Sequence, residues 1–319
     1  MGGSVDVLSA GIIVADHACA PIDHLPAAGE LVMAESMPLC IGGCAANAAV
    51  DLVKMGVRTA VVGRVGDDVF GRCVLEMLRD AGVDVSLLTS SPTAETSQTL
   101  IINVKGQDRR FIHMFGANGE FTAADIPRDR LRQCKVLYVG GYLLMQGLRP
   151  VELREVLAEA RGHGVQTVLD VVVPRPGEYL SWLEPLLPEV DVFLPNHHEG
   201  ELMTGLRDPQ AQAELYHRLG ARTAVVTMGG EGAVLVRGDM KLRAGVFTVP
   251  FVDASGGGDA FDAGYIYGLL HGMSPVDCLR YGSALGASCV RALGTTPGVF
   301  NRAECEDFLR THTLRIEKV

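Results

Sequence analysis

Short β-branched runs alternate with longer helical stretches along most of this chain, and that rhythm restricts the fold more than any other feature. Residues 57–63 read as a strand, 70–81 as a helix closed by Gly82, 136–139 as a strand, and 151–161 as a helix ended by Gly162 and Gly164. Further strands are expected at 165–173, 190–194 and 221–227. A β-α-β-α order predicts a mainly parallel central sheet covered by helices, the α/β class. Two regions break the rhythm. Residues 11–41 and 96–114 read as strands without intervening helices, which predicts a small antiparallel β sheet placed as a lid over a cleft. No repeat or interdomain linker interrupts the pattern, so residues 1–319 read as one domain.

Composition narrows the function. The 28 basic and 38 acidic residues leave a net charge of −10, which argues against a nucleic-acid-binding face. No apolar run is long enough to cross a membrane. The first residues lack the basic region of a signal peptide. Eight cysteines occur without any CxxC pair, which argues against a zinc site and fits reduced thiols. A cytoplasmic protein is expected.

The densest chemical signal is Asp253-Ala254-Ser255-Gly256-Gly257-Gly258-Asp259. Residues 249–252 ahead of it are strand-like. Phe261, Tyr265, Leu269 and Leu270 after it recur at helical spacing up to Gly272. Three glycines between a strand and a helix start let backbone N–H groups converge at the positive end of the helix dipole. Such a turn suits the charge on a transferring phosphoryl group. Asp259 would lie in the first helical turn, as a general base or as a helix N-terminal acid; the residues alone leave both open.

A second motif, Gly42-Gly43-Cys44-Ala45-Ala46-Asn47, opens a helix running to Met55 and closed by Gly56. Asn47 is a poor helix-interior residue unless its amide is used. Gly42 and Gly43 would let a substrate approach the backbone.

Together these stretches resemble the two signatures of the ribokinase-like (PfkB) carbohydrate kinases. Gly42, Gly43, Asn47, Ala49, Gly56 and Gly66 match the first, and residues 253–264 the second. Between them, Asn196-His197-His198-Glu199 resembles the family's N-x-x-E motif, and residues 227–232 its nucleotide loop. All four come in the family's order and spacing.

The resemblance implies a ribokinase-like three-layer α/β/α fold that phosphorylates a sugar hydroxyl with ATP and Mg²⁺. Asp259 would be the base, with the backbone of Gly256, Gly257 and Gly258 as the anion hole. Asp16, Gly42, Gly43 and Asn47 would hold the sugar. Asn196, Thr227, Gly229, Gly232 and Gly258 would line the nucleotide. Glu199 would organise Mg²⁺ through water. Asp253, Ser255, Gly294 and Gly298 match a K⁺ loop present in some members. The exposed face of the lid pairs with a second subunit in this family, which implies a homodimer.

The sequence also departs from the pattern. Ala254 replaces the usual hydroxyl residue. Val14 stands where the ribose-specific members carry an Asn, and their sugar-binding Glu near Gly141 is absent, which disfavours ribose. Arg109, Arg110 and His113 in the lid, with Asp170 and Arg175 at a strand end, are further substrate-contact candidates. His197 and His198 read as loop residues. The rival readings are a nucleoside kinase of the same fold and a catalytically silent sugar-binding regulator. A dinucleotide oxidoreductase lacks its GxGxxG, and a P-loop kinase its lysine motif.

Overall fold

The computed structural model describes residues 5–107 and 109–319. The first half runs β1 (Val7–Gly11), β2 (Val14–Ile22), β3 (Leu39–Gly42), α1 (Cys44–Lys54), β4 (Thr59–Gly66), α2 (Val69–Asp80), β5 (Asp84–Ser91), β6 (Gln98–Val104) and β7 (Arg110–Met114). It continues through α3 (Arg128–Leu131), β8 (Val136–Gly140), α4 (Pro150–Gly162), β9 (Gln166–Leu169), α5 (Leu180–Leu183), β10 (Val192–Phe193), α6 (His197–Thr204) and α7 (Pro209–Arg218). The last part is β11 (Thr223–Thr227), β12 (Ala233–Arg237), β13 (Met240–Ala244), α8 (Gly257–Leu270), α9 (Pro275–Cys289), α10 (Arg302–Thr311) and β14 (Ile316–Lys318).

The main sheet has the order β14-β13-β12-β11-β10-β9-β8-β1-β4-β5. Strands from β11 to β5 run parallel, and β12, β13 and β14 add an antiparallel edge. Alternation along each strand divides the apolar side chains between two cores. On β8, Leu137 and Val139 join α4 and α7 in one, while Val136 and Tyr138 join α1, α8 and α9 in the other. That division is the three-layer α/β/α arrangement, and it follows from the two-residue period of a strand. The alanines at 45, 46, 48 and 49 are all buried, which lets α1 lie close beneath the strands.

A second sheet has the order β3-β2-β6-β7. Its outer pairings are antiparallel and its central pair, β2 with β6, is parallel. The junction from β1 into β2 is fastened by one buried side chain. Asn118 Oδ1 accepts from Ile13 N at 3.1 Å, and Asn118 Nδ2 donates to Ile13 O at 2.9 Å. On β7, Phe111 and Ile112 are exposed.

Three expectations change. Residues 249–252 form no strand: Phe251 is 71% exposed, and Val252 N donates at 2.7 Å to Val290 O, at the end of α9. The strand expected at 165–173 stops at Leu169, because the chain leaves the sheet at Asp170 to line the cleft. His197 and His198 are the first two residues of α6, not loop residues.

Candidate active site

A cleft of about 590 Å³ opens where the C-terminal ends of the parallel strands face the small sheet. Open α/β sheets place their ligands at this end. Its floor includes Cys44, Asn47, Asp170, Glu199, Asp259 and Asp262, and its roof includes Asp16, Thr99, Arg109, Phe111 and His113.

Two helix starts shape the floor. At α8, Gly256 has φ 77°, a left-handed conformation that favours glycine, and a Cβ there would overlap the backbone of Thr295. The next two glycines have no such need. A Cβ on Gly258 would meet nothing within 4 Å, and one on Gly257 only ordinary contacts. Alanine would favour the helix at both positions by roughly 0.5–1 kcal/mol. Their bareness leaves the helix N-terminus open to an incoming group. Asp259 follows in the first turn of α8.

Asn47, on α1, donates through Nδ2 to Asp259 Oδ2 at 2.7 Å. Its own Oδ1 is buried without a partner among the described residues. Burial raises the Asp259 carboxyl above the usual carboxylate range, against the hydrogen bonds from Asn47 and Cys44 that lower it.

In the roof, register aligns Cys40, Asp16, Thr99 and His113 across β3, β2, β6 and β7. Asp16 is 7% exposed, and burial pushes its carboxyl up to about 7, moderated by the Thr99 hydroxyl. A Cβ on Gly42 would overlap the Asp16 carboxylate and would have to push it aside. Thr99 Oγ1 lies 3.0 Å from His113 Nδ1, and burial lowers the His113 imidazole below its ordinary range.

Asn196 and Glu199 form a reciprocal capping box at the start of α6. Asn196 Oδ1 accepts from Glu199 N at 2.9 Å, and Glu199 Oε2 accepts from Asn196 N at 3.0 Å. Burial and the neighbouring Asp170 push the Glu199 carboxyl well up. Thr227 lines the cleft and bridges to Asn196, whereas Gly229 and Gly232 lie beyond it in the turn from β11 to β12.

The structure joins Asp253, Ser255 and Gly294. Asp253 Oδ1 accepts from Ser255 N at 3.0 Å and Ser255 Oγ at 2.9 Å, and Oδ2 accepts from Gly294 N at 3.0 Å. The Gly298 carbonyl accepts from Arg291 Nη2 at 2.8 Å. Arg109 and His113 reach the cleft; Arg175 is exposed outside it, and Arg110 donates to Gln107 at 2.6 Å.

Sequence reasoning passed over Cys44 and Asp262. Cys44 is one helical turn before Asn47, so the spacing i, i+3 already put both on one face of α1. Asp262 stands in the same relation to Asp259 and accepts from Tyr138 OH at 3.0 Å.

Residues 5–301 match the pfkB family carbohydrate kinases. The chain is 27% identical over 306 residues to a ribokinase of Haemophilus influenzae, covering 94% of this chain and 96% of that protein. It is 30% identical over 285 residues to a 2-dehydro-3-deoxygluconokinase of Bacillus subtilis, covering 84% and 86%. The structure of an Arabidopsis thaliana ribokinase complexed with ribose and ATP superposes with a TM-score of 0.80 at 24% identity, covering 97% of this chain and 99% of that one.

Proposed function

The chain belongs to the pfkB family of carbohydrate kinases, and on that premise we propose that it moves the γ-phosphoryl group of ATP to a hydroxyl of a sugar or sugar acid bound beneath the small sheet. One observation carries the reading: a half-buried carboxylate, Asp259, held at 2.7 Å by Asn47 beside an unobstructed helix N-terminus.

In this reading the sugar lies between Asp16 on the roof and Asn47 on the floor, with Gly42 and Gly43 making room. Asn47 Oδ1, which lacks a donor among the described residues, accepts from a sugar hydroxyl. Asp259 takes the proton of the attacking hydroxyl. Phosphoryl transfer has a loose transition state, so position counts for more than basicity. Backbone N–H groups of Gly256, Gly257 and Gly258, with the α8 dipole, meet the charge that develops on the phosphoryl oxygens.

Asn196, Thr227, Gly229 and Gly232 flank the nucleotide. Mg²⁺ accompanies it and neutralises phosphate charge. The oxygen donors of Asn196 and Glu199 suit a hard cation, but both residues are engaged in capping α6, so they would hold Mg²⁺ through its waters. K⁺ is the finer part of the reading; it would sit against the loop of Asp253, Ser255 and Gly294, and exchanging K⁺ for Na⁺ in the assay tests it. A homodimer through the outer face of the small sheet is part of the same reading, supported by exposed Ile112 on β7 and exposed Leu31, Met33 and Met37 nearby in sequence to β3. Sedimentation reads it directly.

A nucleoside substrate is the second reading, favoured by Phe111 and Phe115 in the lining, where a base could stack. An ADP-release screen across sugars, sugar acids, sugar phosphates and nucleosides decides, with Asp259→Asn as the blank. Activity on a sugar or sugar acid is expected. Turnover of nucleosides alone would favour the second reading, and turnover of none would point to a silent binding protein.

A further inference from the structure

Three side chains from separate elements meet on the cleft floor. Cys44 opens α1, Asp170 follows β9, and Asp259 lies in the first turn of α8; their ligand atoms all fall within 4.8 Å of one another. Cys44 and Asp170 are each 8% exposed. The carboxylates are held in place by the protein: Asp170 Oδ2 accepts from Gly141 N at 3.0 Å, and Asp259 Oδ2 from Asn47 Nδ2 at 2.7 Å. Asn47 is itself 2% exposed, and its Oδ1, the other half of the amide that reaches Asp259, has no partner. A sulfur, two carboxylates and an orphaned amide oxygen thus share one neighbourhood. Asp16, Asp262 and Glu199 add further carboxyl groups to the same cleft, whose basic lining among the described residues is Arg109 and His113.

We propose that Cys44, Asp170 and Asp259 form a site for a thiophilic divalent cation, Zn²⁺ or its probe Cd²⁺, and that filling it stops the kinase. Zinc takes sulfur at about 2.3 Å and carboxylate oxygen at about 2.0–2.2 Å in a tetrahedron, so its ligands lie roughly 3.5 Å apart. Side-chain adjustments of about 1 Å bring the three atoms to that spacing, and water or Asn47 Oδ1 completes the set. Mg²⁺ prefers an octahedron of oxygens, and thiolate selects against it. On binding, the Cys44 S–H bond breaks, its proton and the one held by the Asp170 carboxyl pass to solvent, and metal–sulfur and metal–oxygen bonds form without change of oxidation state. The inhibitory half rests on Asp259 being the base, because a coordinated carboxylate cannot accept the sugar's proton. The binding half does not.

The test begins with nucleotide-free protein titrated with Cd²⁺, following the sulfur-to-cadmium charge-transfer band in the ultraviolet. A saturable band is expected, lost in Cys44→Ser and kept in Cys73→Ser. Asp170→Asn should keep the band but weaken binding about tenfold or more. An undiminished band in Cys44→Ser, or unchanged affinity in Asp170→Asn, overturns the site; should Cys44→Ser fail to fold, Asp170→Asn decides alone. The second arm is a zinc-buffered kinase assay at constant MgATP. Half-inhibition should need about tenfold more Zn²⁺ in Cys44→Ser, relative to its own zinc-free rate, and added sugar should relieve it where added Mg²⁺ does not. Equal sensitivity refutes the inhibitory half. A wild type without kinase activity would defeat the proposed function, while the cadmium band would still report on the site.

Discussion

Replacing Asp16 by Asn should make the protein more stable at neutral pH and leave it almost unchanged in acid. Asp16 is buried in the roof, and its carboxyl titrates near about 7 rather than its ordinary 3.8. The folded protein therefore holds this proton more tightly than the unfolded chain does. Between about pH 4 and about pH 7 the folded state binds more protons, so stability falls as pH rises through that window and is flat above it. At about 1.4 kcal/mol per pH unit, roughly three units give about 4 kcal/mol as the full cost of ionising Asp16 in place. Asparagine has no such cost and can still bond Thr99. Other buried acids, Asp170 among them at about 8, titrate in the same range, so the useful quantity is variant minus wild type at each pH. Urea unfolding at about pH 5 and about pH 8 should show the advantage of Asp16→Asn growing by about 3 kcal/mol. A gap equal at the two pH values, or shrinking toward pH 8, would refute the reasoning.

Other perturbations separate chemistry from architecture. Asp259→Asn should lower kcat by about 10²–10⁴-fold while ATP affinity stays within about twofold; near-normal turnover removes Asp259 from its role. Glu199→Gln preserves the capping-box pattern, so in acid, below about pH 4, where the carboxyl is protonated in both folded and unfolded chains, unfolding free energy should move by less than about 1 kcal/mol, while at neutral pH the Mg²⁺ requirement rises; an unchanged Mg²⁺ titration assigns Glu199 to the helix alone. Gly258→Ala has room in the fold and should hold or raise Tm, yet in the proposed reading its methyl would stand where the phosphoryl group passes, so kcat should fall at least about tenfold. Unchanged kcat would move the anion hole elsewhere.

The parallel sheet was legible because its strands are apolar runs separated by helices of ordinary length, as at 57–63 and 70–81. Asp259 and Asn47 were legible because each is tied to a helix start marked by glycine. Cys44 was not, because its neighbours Asp170 and Asp259 arrive from distant segments, and only packing brings sulfur and carboxylates together. The apolar run at 249–252 imitates a strand, but its backbone bonds to the end of α9 and not to a sheet edge. The parallel pairing of β2 with β6 was equally hidden, since alternation reports a strand's faces and says nothing of its direction.

Asn118 gives the small sheet its mechanical character. By answering both the N–H and the C=O of Ile13, it acts as a one-residue stand-in for a neighbouring strand. Both hydrogen-bonding groups of Ile13 are thus paired where the chain passes from one sheet to the other, which makes the joint a clamped end and not a free pivot. A clamped strand moves as a cantilever: displacement is smallest at Ile13 and grows toward Ile22 and its partner Val104. Asp16, three residues from the clamp, would thus stay nearly fixed on the substrate while the far end of the sheet opens to admit it.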